Sequence, residues 1–524
     1  MITQSLAQNL VERVAFGDTL RRRARDSGAS TAIIGYNEQG RHSITYAELY
    51  QQANKLVRGF RQEGLEQGDS IALLTTNSIE FFIALFACYK GGFVAVPINF
   101  LQNITDIHYN LEQANTKAVI AESRFMPLTL SRQLTSIKIR ISTNPCDEWI
   151  SLGQLMASQS GQDIDDIIIN DRDTAHILFS SGTTSKAKGI ETSHLAITMT
   201  TLTTPIGFNF ALKHRHLAVL PTFHCAALTF CLSTLHLGGT LSLIAAFEPQ
   251  AIAKILHSDH IQSTGLLPVM WKALIALPDL ASYDHSALET GIYAMAPMDN
   301  ATLDSLRSTF NGCKFHLGTG QSEFTPVTSI FYDRSDTQFS QGNYWGVPTL
   351  LTDQAILDDQ GNEVAHGQKG EICWRGPQVM SRYLNNQNES HQASQFGWHH
   401  SGDLGLIDDK GQLLFIDRKK DIIKSGGENV ASIKVEQVLL GADNVVQVAV
   451  FGVPHEQWVE AVIGAVQLSP NANFDEETIL NHCKEQLAGF EVPKRILKLA
   501  EFPLTATGKV QKNELRSQYS KLFD

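Results

Sequence analysis

Residues 70–96 read SIALLTTNSIEFFIALFACYKGGFVAV, and this stretch decides the fold class. Its first five residues, 70–74, are mostly apolar and predict a buried strand. The polar pair Asn77-Ser78 is suited to cap a helix that begins at Ile79 and runs to Lys90, where two glycines end it. A second apolar run, 93–96, follows at once. Strand, helix and strand in this order predict a βαβ unit and a largely parallel sheet.

The same rhythm continues through the first two thirds of the chain. Further strands are predicted at 118–121, 175–179, 217–220 and 241–245. From about Gly342 to Asp417 the pattern changes to short strands separated by Asp/Gly turns, which indicates a β-rich subdomain. About one hundred residues of α+β character follow. We therefore predict an α/β N-terminal domain over 1–417 and a small α+β domain over 418–524, with the boundary at 418–420.

Composition excludes several classes of protein. The 524 residues have a net charge of −12, from 42 basic and 54 acidic residues, which argues against a general nucleic-acid binder. The seven cysteines are scattered and form no C-x-x-C pair, which is typical of a reducing compartment. No signal peptide and no run of about 18 apolar residues is visible, so we expect a cytoplasmic protein without a membrane span.

The loop Ser180 to Gly189 has the composition of a phosphate site. It reads SSGTTSKAKG, with five hydroxyls and two lysines in ten residues, and it follows a predicted buried strand. Hydroxyls, backbone N–H groups and cations are what a polyphosphate needs. On composition alone, a polar surface loop rich in serine and threonine is the favoured explanation of the segment. It is not a Walker A loop, because no G-x-x-x-x-G-K-[S/T] occurs in the chain.

The loop resembles the T-S-G-T-T-G-x-P-K-G segment of the adenylate-forming (ANL) superfamily, in its AMP-dependent acyl-CoA synthetase branch. Ser180 to Thr184 and Lys188-Gly189 match, whereas Ser185 and Ala187 replace a glycine and a proline. Further motifs of the superfamily follow in the same order: 220–224 (P-x-F-H), Ala296-Pro297 (G-A-P), 320–323 (Y-G-x-T-E), 397–403 (G-W-x-x-T-G-D), 417–421 (D-R-x-K-D) and 507–509 (T-G-K). Taken singly, each motif residue has a structural explanation as a core or surface residue. Together they span nearly the whole chain.

The resemblance implies roles for individual residues. Those implied to be catalytic are Lys509, His224, Glu323 and Thr183, with Glu323 also holding Mg²⁺. Those implied to bind ATP or AMP are Ser180, Ser181, Gly182, Thr183, Thr184, Lys188, Ala296, Pro297, Thr319, Gly320, Gln321, Ser322, Asp403, Arg418 and Lys509. Those implied to border the acyl pocket are His224, Met295, Gly318 and Gly320. Ser425, Gly426 and Gly427 are implied to line a thiol channel, and Lys420 is implied to be the hinge.

The implied chemistry has two steps. A carboxylic acid attacks the α-phosphate of ATP and pyrophosphate leaves, so charge builds where Lys509, Mg²⁺ and the loop donors lie. A thiol then attacks the acyl-adenylate and AMP leaves. The small domain of this superfamily is mobile: it is implied to swing about Lys420 between the steps, removing Lys509 and bringing in 425–427.

Several positions depart from the superfamily pattern. Thr319 stands where an aromatic residue usually stacks on adenine, and Tyr293-Ala294-Met295 stands where S-G-G is common. Cys225-Ala226-Ala227 lacks the usual glycine after the histidine. Val459 and Glu491 replace a glycine and a lysine on the face that would meet the thiol. The nucleotide half is therefore closer to the pattern than the acyl and thiol halves.

The acid and the acceptor stay open at this stage. Phe223, Met295 and Trp271 are candidates to line an apolar pocket, which favours a fatty or aryl acid. The acceptor is coenzyme A or, alternatively, the phosphopantetheine of a separate acyl-carrier protein. A nucleotide-binding pseudoligase and a luciferase-like oxygenase are further alternatives. We expect ATP, Mg²⁺ and a small-molecule acid as ligands, no nucleic acid, and a monomer or homodimer.

Overall fold

The computed structural model describes residues 5–37, 40–130, 134–180, 186–294, 298–332, 343–504 and 510–523. Within them the α-helices, numbered in chain order, are α1 Leu6–Glu12, α2 Asp18–Ser27, α3 Tyr46–Gln62, α4 Ile79–Gly91, α5 Ile104–Gln113, α6 Leu152–Ala157, α7 His194–Gly207, α8 Cys225–His236, α9 Pro249–Ser258, α10 Pro268–Ile275, α11 Asn300–Thr309, α12 Gln387–Gln392, α13 Ser432–Leu440, α14 Glu476–Gln486 and α15 Lys512–Gln518. Short 3₁₀ helices lie at Ser123–Thr129, Leu280–Ser282, Ser322–Phe324 and Gln395–Gly397.

The strands of the described residues are numbered in the same way. They are β1 Thr31–Asn37, β2 Gly40–Thr45, β3 Ser70–Leu74, β4 Val94–Pro97, β5 Ala118–Ala121, β6 Ile139–Ser142, β7 Ile150–Ser151, β8 Thr174–Phe179, β9 Gly189–Ser193, β10 Arg215–Ala218, β11 Thr240–Ile244, β12 Ser263–Leu266, β13 Thr290–Tyr293, β14 Lys314–Gly320, β15 Val327–Phe331, β16 Asn343–Pro348, β17 Asp353–Leu357, β18 Gly370–Arg375, β19 Arg382–Tyr383, β20 His399–Ile407, β21 Leu413–Arg418, β22 Ile423–Ser425, β23 Glu428–Val430, β24 Val445–His455, β25 Val459–Leu468 and β26 Arg495–Lys498.

The quoted stretch forms the predicted unit in an eight-stranded sheet. Its strand order is β19-β9-β8-β4-β3-β5-β6-β7, and β3 pairs in parallel with both β4 and β5. The Ser78 hydroxyl caps α4 by accepting from the Phe81 N–H at 3.1 Å, and the helix ends at Gly92 in the left-handed region. All but one residue of α4 are buried, because the helix contacts β3 and β4 on one side and β1 of a second sheet on the other. A helix between two sheets has no solvent face, which explains its apolar sequence.

The second sheet has thirteen strands in the order β17-β18-β20-β21-β16-β15-β14-β13-β12-β10-β11-β1-β2. Strands β1, β11, β10, β12, β13 and β14 pair in parallel, and β1 pairs with β11 through contacts such as Ile33 with Leu241. The pairs from β14–β15 to β17–β18 are antiparallel. The predicted β-rich region is therefore present, but it extends this sheet through β16 and does not stand apart from it.

The C-terminal part has its own sheet and core. Strands β23, β22, β25 and β24 are neighbours in that order, and β26 joins β25. Helices α13 and α14 cover a core that includes Val435, Leu439, Ile479 and Cys483. The α+β character predicted for this region is confirmed. Strand β21 ends at Arg418 and β22 begins at Ile423, so the predicted boundary at 418–420 falls in the connection between the two sheets.

No helix within the described ranges has both the length and the apolar character needed to cross a membrane.

Candidate active site

The phosphate loop is the tip of the β8–β9 hairpin. Phe179 pairs with Gly189 at the end of the ladder. Above this pair, the Ser180 N–H donates to the Lys188 carbonyl at 2.9 Å, and the Lys188 N–H donates to the Ser180 hydroxyl at 3.0 Å. These two bonds close the neck of the loop and fix the start of the Lys188 side chain. The predicted nucleotide ligands Ser181, Gly182, Thr183 and Thr184 lie outside the described residues.

A tyrosine links Lys188 to Glu323. The Lys188 ammonium lies 4.9 Å from the centre of the Tyr383 ring, and it also forms an ion pair with Glu389. The Tyr383 hydroxyl donates to Glu323 Oε1 at 2.9 Å. Burial, followed by the negative charge of Glu323, raises the pKa of Tyr383, so the phenol stays a donor. Two residues predicted from separate motifs are thus joined through a third that sequence reasoning missed.

Glu323 is held by the backbone on both sides. It lies on the 3₁₀ turn Ser322–Phe324 directly after β14, and its carbonyl accepts from the Met380 N–H at 2.7 Å. Gly320 precedes the turn with φ +147, and a Cβ there would lie 1.7 Å from the Pro326 carbonyl oxygen. Only glycine fits this approach. The position of Glu323 therefore depends on a glycine that the nucleotide motif contains.

Gln321 joins the 320–323 segment to the strand that carries Asp403. Its amide nitrogen donates to the Ser401 carbonyl at 2.6 Å and to Asp403 Oδ2 at 3.2 Å. Asp403 is buried, and Arg418 Nε lies 3.8 Å from Asp403 Oδ1 across the β20–β21 ladder. The structure therefore brings Gln321, Asp403 and Arg418 together, where the segment after β14 meets strands β20 and β21.

Two other predicted nucleotide ligands have partners within the protein. The Thr319 hydroxyl donates to the Ser329 carbonyl at 3.3 Å, so this side chain lies along β15. The Ser322 hydroxyl lies 3.0 Å from Cys225 Sγ at the start of α8. The second contact connects the turn that carries Glu323 to the helix that follows His224. Cys225 belongs to the stretch that lacks the superfamily's usual glycine after the histidine, and this contact gives its thiol a partner.

His224 is the N-cap residue of α8, and its ring packs on Phe223 with centroids 4.6 Å apart. The next turn of the helix borders a narrow apolar cavity of about 20 Å³, between α8 and the strands β10, β12 and β13. The cavity is lined by His216, Leu217, Ala218, Val219, Leu220, Ala226, Ala227, Phe230, Gly265, Leu266, Ile292 and Ala294. His216 contributes no charge here, because burial lowers its pKa to about 3.

The other residues predicted for the acyl pocket lie in different places. Gly318 faces Phe208, whose ring would be 3.1 Å from a Cβ at this position. Trp271 is fully buried among Phe310 and Phe315, and its indole N–H donates to the Ile292 carbonyl at 3.1 Å. Trp271, a candidate for the apolar pocket, does not border this cavity. Phe230 is among the residues that line it.

The predicted thiol-channel residues form a tight hairpin. Ser425 pairs with Glu428, so Gly426 and Gly427 are the two residues of the turn. Their φ angles of +63 and +87 are those of the mirror-image turn that joins twisted strands, and this turn requires glycine or a similar residue. The Gly426 N–H donates to the Trp458 carbonyl at 2.9 Å. The glycines thus have a structural reason that is independent of any channel.

Lys420 follows Arg418 and is exposed. Nearby protein atoms partly desolvate its ammonium and lower its pKa, and the charges of Arg418 and Lys188 act in the same direction. Lys188, Arg418 and Lys420 therefore place three cations near the nucleotide segments, which suits a polyphosphate. Met295, Ala296, Pro297 and Lys509 lie outside the described residues.

Two family models account for most of the chain. The model described as AMP-binding enzyme matches residues 20–384, and the one described as AMP-binding enzyme C-terminal domain matches residues 434–509. The chain belongs to the AMP-binding enzyme family. This AMP-binding enzyme is 32% identical to a feruloyl-CoA synthase from an Amycolatopsis species over 95% of its own chain and 98% of the relative. It is 28% identical to the long-chain-fatty-acid–CoA ligase FadD13 of Mycobacterium tuberculosis, over 96% of its own chain and 98% of the relative.

A solved structure has the same fold. ATP-bound MatB from Rhodopseudomonas palustris superposes with a TM-score of 0.86 at 25% identity, covering 98% of this chain and 100% of that one. The predicted superfamily and fold class are confirmed. This AMP-binding enzyme is an AMP-forming acid:CoA ligase, which forms an acyl-adenylate from ATP and transfers the acyl group to coenzyme A.

Proposed function

We propose that this ligase activates an uncharged apolar acid, aryl or fatty, and passes it to free coenzyme A. The observation that supports this most directly is the apolar cavity beside α8. No described lining residue of the cavity carries a charge at neutral pH, since His216 is neutral there. A second carboxylate on the acid would be buried without a counter-charge, which costs several kcal/mol.

The cavity as it stands has room for about one water molecule, so an acid has to widen it on binding, which favours a compact acid. Phe230 forms part of its wall, and the ring of this residue packs on His216 and Phe208 with centroids 5.7 and 5.2 Å apart. Two neighbouring elements support this wall, so the Phe230 ring has little room to swing. The named substrates of the relatives, a feruloyl group and a long-chain fatty acid, are both apolar. We rank aryl acids first, because the feruloyl-CoA synthase is more similar to this chain, at 32% identity, than the fatty-acid ligase at 28%.

The nucleotide site is proposed to work as follows. The loop from Ser180 to Lys188 holds the phosphates, and Asp403 accepts from the ribose hydroxyls, as a carboxylate can from two donors. Glu323 fits a Mg²⁺ ligand, because its carboxylate offers the hard oxygen that this ion prefers and lies close to the loop lysine. Mg²⁺ held there would neutralise charge on the phosphates.

The acyl half and the second step are proposed from the motifs. His224 orients the acid at the mouth of the cavity. Lys509 bridges the carboxylate and the α-phosphate during adenylation. The small domain then turns about Lys420 and brings 425–427 to the adenylate. Gly426 and Gly427, required by the hairpin turn, also leave an exposed backbone edge along which a pantetheine arm fits.

The test is pyrophosphate release from the purified enzyme across a panel of aryl acids, fatty acids of increasing length and dicarboxylates. We expect turnover with aryl and shorter fatty acids and at least 100-fold less with dicarboxylates. Phe230→Ala should shift the optimum to longer or bulkier acids, because it opens the end of the cavity. Phe208→Leu is the matched control, since Phe208 supports the wall from behind without lining the cavity. A dicarboxylate optimum would contradict the proposal.

A second assay tests the acceptor. Thioester formation is measured with free coenzyme A and with a pantetheinylated carrier protein at equal concentrations. We expect product with free coenzyme A. Product with the carrier alone would identify the enzyme as a ligase that loads carrier proteins.

A further inference from the structure

A group of three potential metal ligands lies behind the ribose-binding turn. Glu371 and Cys373 are two residues apart on β18, so their side chains share one face. His400 on the neighbouring strand β20 is the direct partner of Cys373. One ligand atom from each of the three lies within 4.8 Å of the others. None of the three has a role in the proposed reaction.

The distances match those of a bound cation. His400 Nδ1 lies 3.6 Å from Cys373 Sγ and 3.1 Å from Glu371 Oε2. In a tetrahedral zinc site, bonds of about 2.3 Å to sulfur and about 2.0–2.1 Å to nitrogen place these two atoms about 3.6 Å apart. The corresponding nitrogen-to-oxygen separation is about 3.4 Å. For these two separations an ion requires a movement of only a few tenths of an ångström, whereas the sulfur and the carboxylate oxygen, which lie within 4.8 Å of each other, have to approach to about 3.6 Å.

The second ring nitrogen of His400 sets the tautomer. His400 Nε2 lies 3.1 Å from the Gln395 carbonyl oxygen, which accepts and never donates. Nε2 is therefore the donor to this carbonyl. Histidine ligands of metals are oriented in this way, with the other N–H donated to a carbonyl. An ion at this site would take the place of the proton that Nδ1 or the Cys373 thiol shares with its neighbours.

We propose that Glu371, Cys373 and His400 bind a thiophilic divalent cation of the Zn²⁺ class, with a fourth position open to water. A ligand set of sulfur, imidazole and one carboxylate suits zinc and does not suit Mg²⁺ or Ca²⁺. Binding releases the thiol proton of Cys373 to solvent, because a thiolate is the ligand. Glu371 and His400 are 11% and 13% exposed at the side chain, which leaves a way in for the ion.

Lys419 is the competitor for this site. Its ammonium lies 3.3 Å from the same Glu371 oxygen that faces His400, and 2.9 Å from Asp359 Oδ1. The side chain is 48% exposed, so it is free to move aside towards Asp359. Removing its charge should therefore tighten metal binding, whereas an adventitious surface site elsewhere would not respond.

The experiment uses the full chain, stripped of metal, with Zn²⁺ titrated against a chromophoric chelator. We expect one tight Zn²⁺ per chain. Cys373→Ser and His400→Gln should each weaken it at least 100-fold, since even a supporting partner of a ligand costs about 10–100-fold. Lys419→Met should tighten it several-fold. Cys146→Ser and His391→Gln are matched controls at exposed or half-exposed positions and should have no effect.

A second readout does not depend on the variants folding. Co²⁺ added to the metal-free wild-type enzyme should give the near-ultraviolet charge-transfer band of a cobalt–thiolate bond. Absence of that band, or Zn²⁺ affinity unchanged in Cys373→Ser, would overturn the proposal. Thermal melting of the metal-free variants shows whether each has kept its fold.

Discussion

At the scale of single residues, one phenol connects Lys188 and Glu323, the two residues proposed to act on the phosphates and on Mg²⁺. The Lys188 ammonium lies over the ring of Tyr383, and the Tyr383 hydroxyl donates a hydrogen bond to Glu323. A cation over an aromatic face and a hydrogen bond to a carboxylate are separate interactions, so they can be removed one at a time. A phenylalanine at position 383 keeps the contact of the ring with the Lys188 cation and removes the hydrogen bond to Glu323.

We therefore expect Tyr383→Phe to lower the rate of adenylation about tenfold and to raise the Mg²⁺ concentration needed for half-maximal rate. The reason is that a hydrogen bond to a charged group contributes about 1.5–3 kcal/mol, and Glu323 loses its orientation without it. The measurement is acid-dependent pyrophosphate exchange at increasing Mg²⁺. Tyr519→Phe in the small domain is the control. An unchanged Mg²⁺ dependence would count against the role of Glu323.

At the scale of elements, the end of β14 depends on Gly320. The strand pairing shifts between Thr319 and Gly320, and the chain then turns into the segment with Gln321 and Glu323. Gly320→Ala should lower the free energy of unfolding by about 2 kcal/mol or more, because its Cβ would collide with the Pro326 carbonyl. Affinity for ATP should fall with it. Urea denaturation and nucleotide binding test this, with Gly153→Ala as the control at an open position.

Elements with strong local signals were predicted well from the sequence. Strands β3 and β5 have the predicted bounds, and α4 extends only one residue beyond Lys90. In contrast, the strand predicted at 217–220 lies at Arg215–Ala218, since its register is set by pairing with β11 and β12. Local pattern carries no information on a partner strand that is distant in sequence. The continuity of the thirteen-stranded sheet was missed for the same reason.

The site was predicted in part. The motif residues Asp403, Arg418 and Gln321 do lie together, on β20, on β21 and in the segment after β14. Tyr383 was missed, because a single aromatic residue on a two-residue strand has no periodic signal. The pair Gly426-Gly427 was interpreted as part of a thiol channel. The two-residue hairpin turn that these glycines form requires positive φ angles and so also explains them. A residue type alone does not distinguish a structural requirement from a functional one.

At the scale of the whole molecule, buried neutral histidines determine the response to acid. Burial lowers the pKa of six histidines in the N-terminal part, to about 3 for His176 and His216 and about 4 for His194, His214, His236 and His399. In the unfolded chain they titrate near 6.5. The unfolded state thus binds more protons below that pH. The stability that these groups contribute is complete above about pH 6.5 and is lost as pH falls towards 4.

When the pH falls from 7 to 5, we expect each of these histidines to lower the free energy of unfolding by about 2 kcal/mol. Urea midpoints measured across this range should fall steeply. His236→Gln keeps a polar partner for the Thr201 hydroxyl and should make the slope shallower, whereas His391→Gln at the surface should not. A midpoint that is flat between pH 7 and pH 5 would contradict the burial of these side chains as neutral groups.

The connection between the large and small domains is tested by stiffening it. Lys420→Pro should slow the transfer of the acyl group to coenzyme A more than it slows adenylation, because a fixed φ restricts the proposed swing. Lys420→Ala removes the same side chain and leaves the backbone free, so it separates the two effects. Single-turnover assays of each half-reaction measure this. Equal slowing of both steps would contradict the assignment of the hinge to Lys420.

The parallel pairing of β1 with β11 has a consequence for the newborn chain. Ile33 and Leu241 are roughly 200 residues apart, and the apolar helix α4 needs both sheets to be covered. At about 5–20 residues per second, a ribosome takes about 10–40 s to make that span. Throughout that interval β11, which pairs with β1, has not yet been made, so the second sheet cannot cover α4. The nascent N-terminal third therefore exposes apolar surface until residue 244 has been made, and aggregation competes with folding during that interval.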